Sequence, residues 1–329
     1  MKILLALPNK LKTVPMGGFS AKALVNLGHE VVTFNYWPSW HDKLQQQILG
    51  RLNTEYYASI NRRFRECVLS EKPDIILVIY GFHLSIESLQ WLKKQGIPSA
   101  CWWLNDPFQW ERSMQKASHF DFVFTNAWGS VADYQQRGVN AYWLPTACDT
   151  SVHRVGNVRP EWLCDVGFAG DWSPLREQWL THLAKDYDVK VFGPWSKKLA
   201  KDSPLHACLI DGFFSPDVMV DMFACSKVVL NIHTWYGKWS HGTNPRLFEA
   251  AGCGAAQAVD WRDELPQLFD CEKELLTYHN LDDLHTKLAP FLRDITKREQ
   301  AGILAQQRAY TEHTYQQRMQ FLLSTVNVG

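Results

Sequence analysis

The sequence has no excess of either charge. Its 34 Lys and Arg balance 34 Asp and Glu in 329 residues, with no acidic or basic tail. Electrostatic capture of nucleic acid needs a basic patch or stripe, and nothing here supports one. There is no Cys-x-x-Cys pair. Eight cysteines are scattered, several of them, such as Cys101 and Cys253, in apolar surroundings. That suits reduced thiols better than disulfides or a zinc site. No apolar run approaches the roughly 18 residues that cross a bilayer. The opening run Ile3–Leu7 stops at Pro8-Asn9-Lys10, short of the ~7–15 apolar residues of a secretory leader. The expected location is the cytoplasm, with peripheral contact at the inner membrane face left open. A strict Gly-x-Gly-x-x-Gly is also missing, so the dinucleotide fingerprint is not there.

What is present is a well-cored chain, 46% hydrophobic and 21% charged, long enough for two ordinary domains. Its 15 Trp are many; each fits a core position or a stacking face for a sugar ring. Strand and helix patterns alternate throughout. Residues 2–7 read as a strand, Gly17-Gly18 as a loop, Ser20 as a helix cap and 31–34 as the next strand. Residues 42–70 read as one long polar helical region. Strands at 75–79, 97–103, 121–124 and 140–145 complete a first half, with helices at 84–95 and 129–137. A polar segment, 150–161, reads as a linker. The pattern then restarts: strand 163–168, loop 169–174 with Ser173 as cap, strands 189–192 and 209–213, helix 215–225. Glu272–Tyr278 reads as an edge strand, and helices at 281–293 and about 295–325 follow. Alternation of this kind implies an α/β protein with doubly wound parallel sheets.

The richest stretch is 228–260. Val228–Ile232 can form a buried strand. A polar loop with His233, Lys238 and His241 follows, and Asn244-Pro245 opens a helix that Gly252 or Gly254 stops. Ala255–Val259 is the next strand. The loop therefore lies at the carboxyl end of a parallel strand, where open α/β sheets bind ligands, beside a helix N-terminus that favours phosphate. Arg246 and Glu249 are three residues apart and share a face. A cation and an anion there suit a molecule with a diphosphate and sugar hydroxyls. Three further positions stand at strand ends. His83 can be a capping residue or a general base. Asp106 can fix the Asn105-Asp106-Pro107 corner or, partly desolvated, act as a base. Arg176 can be an exposed helix residue or a bidentate phosphate ligand. Asp186-x-Asp188 has the form of a metal motif but precedes its strand, so it reads as a turn.

The 244–254 segment, Arg-x-Phe-Glu followed by Gly-Cys-Gly, resembles the donor-binding segment of GT-B glycosyltransferases, most closely the CgeB-like (spore maturation protein) branch. Trp103-x-x-Asp106-Pro107 and the Leu-Pro-x-Ala-Cys-Asp run at 144–149 are similar to the same branch. Many retaining members carry Glu-x7-Glu; Glu249 matches the second Glu, and His241 stands where the first would be. The resemblance implies two Rossmann-like domains facing a cleft: an acceptor-side domain at 1–152 and a nucleotide-sugar donor domain at 161–308. It also implies a C-terminal helix, 309–329, returning to the first domain. It lends Gly17 and Gly18 a place near the donor phosphates and acceptor. Gly170, Ser173 and Arg176 take the diphosphate by the same resemblance; Trp195 and Asp211 flank the base. His233, Lys238 and His241 face sugar and phosphates, and Asn244 belongs to the same donor-binding set.

The reading is a metal-independent glycosyltransferase without a cofactor, moving a sugar from a nucleotide-diphosphate donor to an unidentified acceptor. Arg246 stabilises the leaving diphosphate, Glu249 holds ribose hydroxyls, and Asp106 or His83 takes the acceptor proton. A nucleotide-sugar 2-epimerase, or a non-catalytic sugar- or nucleotide-binding subunit on the same scaffold, is the alternative.

Overall fold

The computed structural model describes residues 1–8, 15–49 and 55–326. The chain divides into two units. The first comprises the chain up to Pro8, residues Pro15–Pro145 and the residues from Tyr315 on. The second is Thr146–Thr314.

In the first unit six strands form one sheet: β1 (Lys2–Leu7), β2 (Glu30–Asn35), β3 (Ile75–Ile79), β4 (Ser99–Trp103), β5 (Phe122–Thr125) and β6 (Ala141–Trp143). Their spatial order is β2-β1-β3-β4-β5-β6, and every pairing is parallel. All five residues of β3 and of β4 are buried, as expected for strands covered by helices on both faces. The helices are α1 (Met16–Asn26), α2 (Trp40–Leu49), α3 (Ala58–Glu71), α4 (Ile86–Lys94), α5 (Trp110–Ala117) and α6 (Ser130–Gln136). The order reverses between β1 and β3, so the loops after those strands flank a switch point. Tyr80 and Gly81, both with positive φ, turn the chain sharply off the end of β3.

The second unit repeats the plan with β7 (Cys164–Ala169), β8 (Val189–Gly193), β9 (Leu209–Asp211), β10 (Ser226–Asn231), β11 (Gln257–Asp260) and β12 (Leu276–Tyr278), in the parallel order β12-β11-β10-β7-β8-β9. Here the order reverses between β7 and β10. Around the sheet lie α7 (Pro174–Leu183), α8 (Pro216–Cys225), α9 (Pro245–Gly252), α10 (Leu265–Leu268), α11 (Leu281–Arg293) and α12 (Ile295–Glu312). Gly254, at φ +71°, takes the left-handed position that ends α9. The chain then returns to the first unit as α13 (Tyr315–Val326). There Tyr315 packs on Phe19 of α1, ring centroids 5.2 Å apart, and Arg318 Nε donates to Pro145 O at 2.9 Å.

Several local expectations are corrected. Gly17 and Gly18 lie in the first turn of α1, not in a loop, and Ser20 is no cap: its hydroxyl bonds Met16 O one turn back. The 42–70 region is two helices, α2 and α3, with 50–54 outside the described residues. The final helix breaks at His313-Thr314, where His313 Nε2 meets Leu268 O and Thr314 pairs with Cys148. The edge strand is only Leu276–Tyr278, because the Asp270 carboxylate accepts the N–H groups of Glu272 and Lys273 and draws that backbone into a turn. None of the eight cysteines is in a disulfide.

Candidate functional site

In the second unit the loops after β7 and β10 meet at the switch point, and Arg176 ties them together. Its Nε and Nη2 donate to Ile232 O at 3.1 and 2.6 Å, Nη2 also to Thr234 Oγ1 at 3.1 Å, and Nη1 to Asp171 O at 2.9 Å. The guanidinium lies 5.2 Å over the Phe168 ring, and burial lowers its pKa to about 10. Four of its five N–H groups are therefore spent on protein. Arg176 is a clamp on the two loops more than a phosphate ligand, a correction to the expected role.

Beyond the loop, α9 begins at the carboxyl end of β10. Asn244 caps it through Leu247 N–H, and the Asn231 and Asn244 side-chain amides bond each other in both directions at 2.9 and 2.7 Å. Asn244 is thus consumed in the cap. From the first turn, Arg246 Nη1 reaches Glu249 Oε2 at 2.6 Å, with the two side chains 15% and 4% exposed. The guanidinium stacks 5.3 Å over Phe223, and its Nε is buried without a protein partner. His153, buried beside this pair, is held below its usual pKa by burial, against the attraction of Glu249. No feature of the sequence pointed to it.

Sequence reasoning placed His233 facing ligand. It is instead fully buried. Its Nδ1 bonds Asp260 Oδ1 at 2.7 Å, its backbone N–H reaches the same oxygen at 3.0 Å, and its Nε2 accepts the Asn244 N–H at 3.1 Å. Only a neutral ring with its proton on Nδ1 can do this, and burial keeps its pKa low. Burial opposes ionisation of Asp260, but His233 and Arg262 outweigh it and hold the carboxyl below its ordinary value. Arg262 closes the set on the other oxygen. Tyr278 donates to Asn231 O at 2.6 Å. This network fixes where α9 starts, and hence where Arg246 and Glu249 stand.

The other expected donor residues are dispersed in role. Ser173 does cap α7, accepting Arg176 N–H. Gly170 O accepts the Trp195 indole N–H at 2.7 Å, and Trp195 is wholly buried in the core. Its ring offers no face to a nucleotide base, which corrects the expectation for it. Asp211 is exposed but holds Ser196 through N–H and hydroxyl bonds that lower its pKa. Lys238 is exposed in the loop, and His241 is half-buried with its carbonyl on the Trp235 indole. Among the described residues no cluster of three His, Cys, Asp or Glu could hold a metal ion. Asp186 and Asp188 lie at the amino end of β8, with Asp186 bonded to His285 at 3.1 Å.

In the first unit, Asp106 is completely buried. Its carboxylate accepts the hydroxyls of Ser113, Thr125 and Tyr134 at 2.9, 2.9 and 2.7 Å. Burial raises its pKa to about 6 against those three bonds. It titrates in a useful range but no acceptor can reach it; it organises the β4–α5 corner, a correction to the catalytic expectation. His83 is only partly buried and lines a cavity of about 780 Å³. Burial, then the charges of Lys116, Arg112 and Lys43, lowers its pKa to about 4. Lys116, which sequence reasoning did not single out, holds that loop: its ammonium donates to the carbonyls of Gly81, Phe82 and Leu84. A smaller cavity, about 250 Å³, is lined by Gly17, Gly18, Pro8 and Asn35. Gly17 is there for contact: a Cβ would sit 3.0 Å from Leu7 Cβ.

Two six-stranded parallel sheets, each doubly wound, with the last helix returned to the first unit, define the GT-B fold. Residues 176–324 match the family model described as glycosyl transferase-like. The chain is also 24% identical over 282 residues to spore protein CgeB of Bacillus subtilis (strain 168), covering 80% of this chain and 87% of that one. Anabaena HepE, solved in complex with UDP-glucose, superposes with a TM-score of 0.70 at 15% identity, over 99% of both chains. The trehalose-6-phosphate synthase OtsA gives 0.70 at 10% identity, over 100% of this chain and 99% of that one. The resemblance to the CgeB-like branch of GT-B proteins therefore stands on sequence and on fold. No helix among the described residues is long and apolar enough to cross a membrane.

Proposed function

We propose that this protein is a glycosyltransferase whose second unit holds a nucleotide-diphosphate sugar at the start of α9. One observation carries the reading: the Arg246–Glu249 pair, set in the first turns of a capped helix at a β/α switch point, with an arginine Nε left unpartnered. Arg246 and the helix N-terminus stabilise the diphosphate as its charge develops, the largest expected catalytic effect. Glu249 binds ribose hydroxyls, and Lys238 and His241 lie on the loop that meets the sugar. In the transfer the acceptor oxygen bonds the anomeric carbon, the bond from that carbon to the phosphate oxygen breaks, and its electron pair leaves on the diphosphate. The acceptor's proton passes to a base and on to water. His83 is the base candidate that remains once Asp106 is enclosed; its neutral ring is in the accepting form above about pH 4.

The reaction is proposed to need no metal, the cationic side chains doing that work. The UDP-glucose bound by HepE makes uridine diphosphate the first donor nucleotide to try. A thermal-shift screen of uridine, guanosine, thymidine and cytidine diphosphates tests the reading, since a ligand of the native state raises the melting temperature. At least one should raise it without added metal; no shift with any of the four would contradict it. Incubation with the matching nucleotide sugar and no acceptor separates transfer from 2-epimerisation, which alone needs no second substrate.

A further inference from the structure

One cavity of the first unit is not explained by packing. It lies past the ends of β3 and β4, about 780 Å³ in volume, within the unit itself. One wall is aromatic: Trp37, Tyr56 and Phe82, with Tyr56 53% exposed. His83 stands among these rings, edge-on to Trp37 at 5.0 Å and nearly parallel to Tyr56 at 6.4 Å. Two polar atoms of the lining, His83 Nδ1 and Gln109 Oε1, are buried with no protein partner. Buried polar atoms are normally satisfied, so an unsatisfied pair in one cavity asks for a ligand with hydroxyls. Aromatic faces beside hydrogen-bonding groups suit a sugar ring, which is apolar on its face and polar at its edge.

The charges add a further restriction. Arg112, over the Phe82 ring at 5.3 Å, has no carboxylate partner among the described residues. Lys116 and Lys43 lie near enough to act on His83. Nearby Glu55 and Asp42 are neutralised by Arg65 and Arg63, which leaves exposed Glu87 as the one carboxylate of the lining. The cavity is therefore net positive. We infer that it takes an anionic saccharide, the sugar ring lying on the aromatic wall and its carboxylate or phosphate facing Arg112. This rests on the transferase reading, in which that saccharide is the acceptor.

The test uses the full-length protein with uridine diphosphate present, and saturation-transfer NMR with calorimetry. The probes are glucuronate, galacturonate, glucose 6-phosphate and neutral methyl glucoside. At least one acidic probe should bind, at least tenfold more tightly than methyl glucoside, and Arg112→Gln should weaken it at least tenfold; Gln109→Leu should weaken it too. Binding of the uronates alone marks a carboxylate acceptor, and binding of the sugar phosphate alone a phosphate one. No binding by any acidic probe, equal binding by the neutral glucoside, or an unchanged Arg112→Gln overturns the inference. Nucleotide binding in the same samples tells the two failures apart. If the nucleotide binds and no acid does, only the cavity assignment falls; if neither binds, the transferase reading falls with it.

Discussion

Asp260→Asn should be among the most damaging conservative changes in the second unit. Asp260 is fully buried and both its oxygens are engaged: one takes two bonds from His233, and the other takes Arg262. An amide replaces one acceptor with a donor, and either placement is wrong. If the NH2 faces Arg262, which is 2% exposed, a buried guanidinium loses its counter-ion. If it faces His233, the ring must change tautomer and lose its bond from Asn244 N–H. Removing one partner of a buried ion pair costs about 3–5 kcal/mol. For a domain of this size each kcal/mol moves the melting temperature by about 2–4 °C, so the expected fall is on the order of 6–20 °C. A thermal melt by circular dichroism reads it, with Asp186→Asn as control, since that side chain is 54% exposed. Loss of the α9 cap geometry should lower nucleotide affinity along with it. A shift within about 2 °C of wild type would refute the assignment of the network as the anchor of α9.

Gly302→Ala should also be destabilising, because a Cβ on α12 would sit 2.2 Å from the Gly254 carbonyl oxygen, and backbone cannot step aside. A lowered urea midpoint with unchanged slope checks it; the expected cost is about 1–3 kcal/mol. Asp42 gives a pH signature. Burial would raise its pKa, but bonds from Ser39 and Ser59 and the charge of Arg63 lower it from 3.8 to about 2. The folded state therefore binds the proton less readily than the unfolded one. The resulting stability, about 2 kcal/mol, is full above pH 4 and lost as pH falls toward 2. The gap between wild type and Asp42→Asn in chemical denaturation should be widest at pH 5 and narrow steadily as the pH falls toward 2; a constant gap would contradict this.

The sheets were legible in the sequence because apolar runs bounded by Gly, Pro and polar turns report parallel strands directly. Val228–Ile232, Ala255–Val259 and Ile75–Ile79 each appear where the pattern puts them, within a few residues. The Asn244-Pro245 helix start was equally plain, because Asn capping and Pro at the first turn are local chemistry. The break between α12 and α13 was not, since no Pro or Gly marks it; it depends on the distant Leu268 carbonyl and Cys148. The same limit explains the site residues that changed role. Whether Arg176 meets phosphate or the carbonyls of Ile232 and Asp171 is decided by which loops the fold brings together. Trp195 could have been a stacking face or core, and only tertiary burial decides that. Asp106 looked like a base because its strand-end position is right, but three hydroxyls from other elements enclose it.

The measurement that bears most directly on the account is calorimetric titration of the folded protein with the nucleoside diphosphate that stabilises it most, beside Glu249→Gln. The substitution keeps the shape of the side chain and removes the charge that faces Arg246. Wild type should bind without added metal, and Glu249→Gln should bind at least tenfold more weakly while still melting cooperatively. Equal affinity in the two proteins would contradict the placement of the nucleotide at α9.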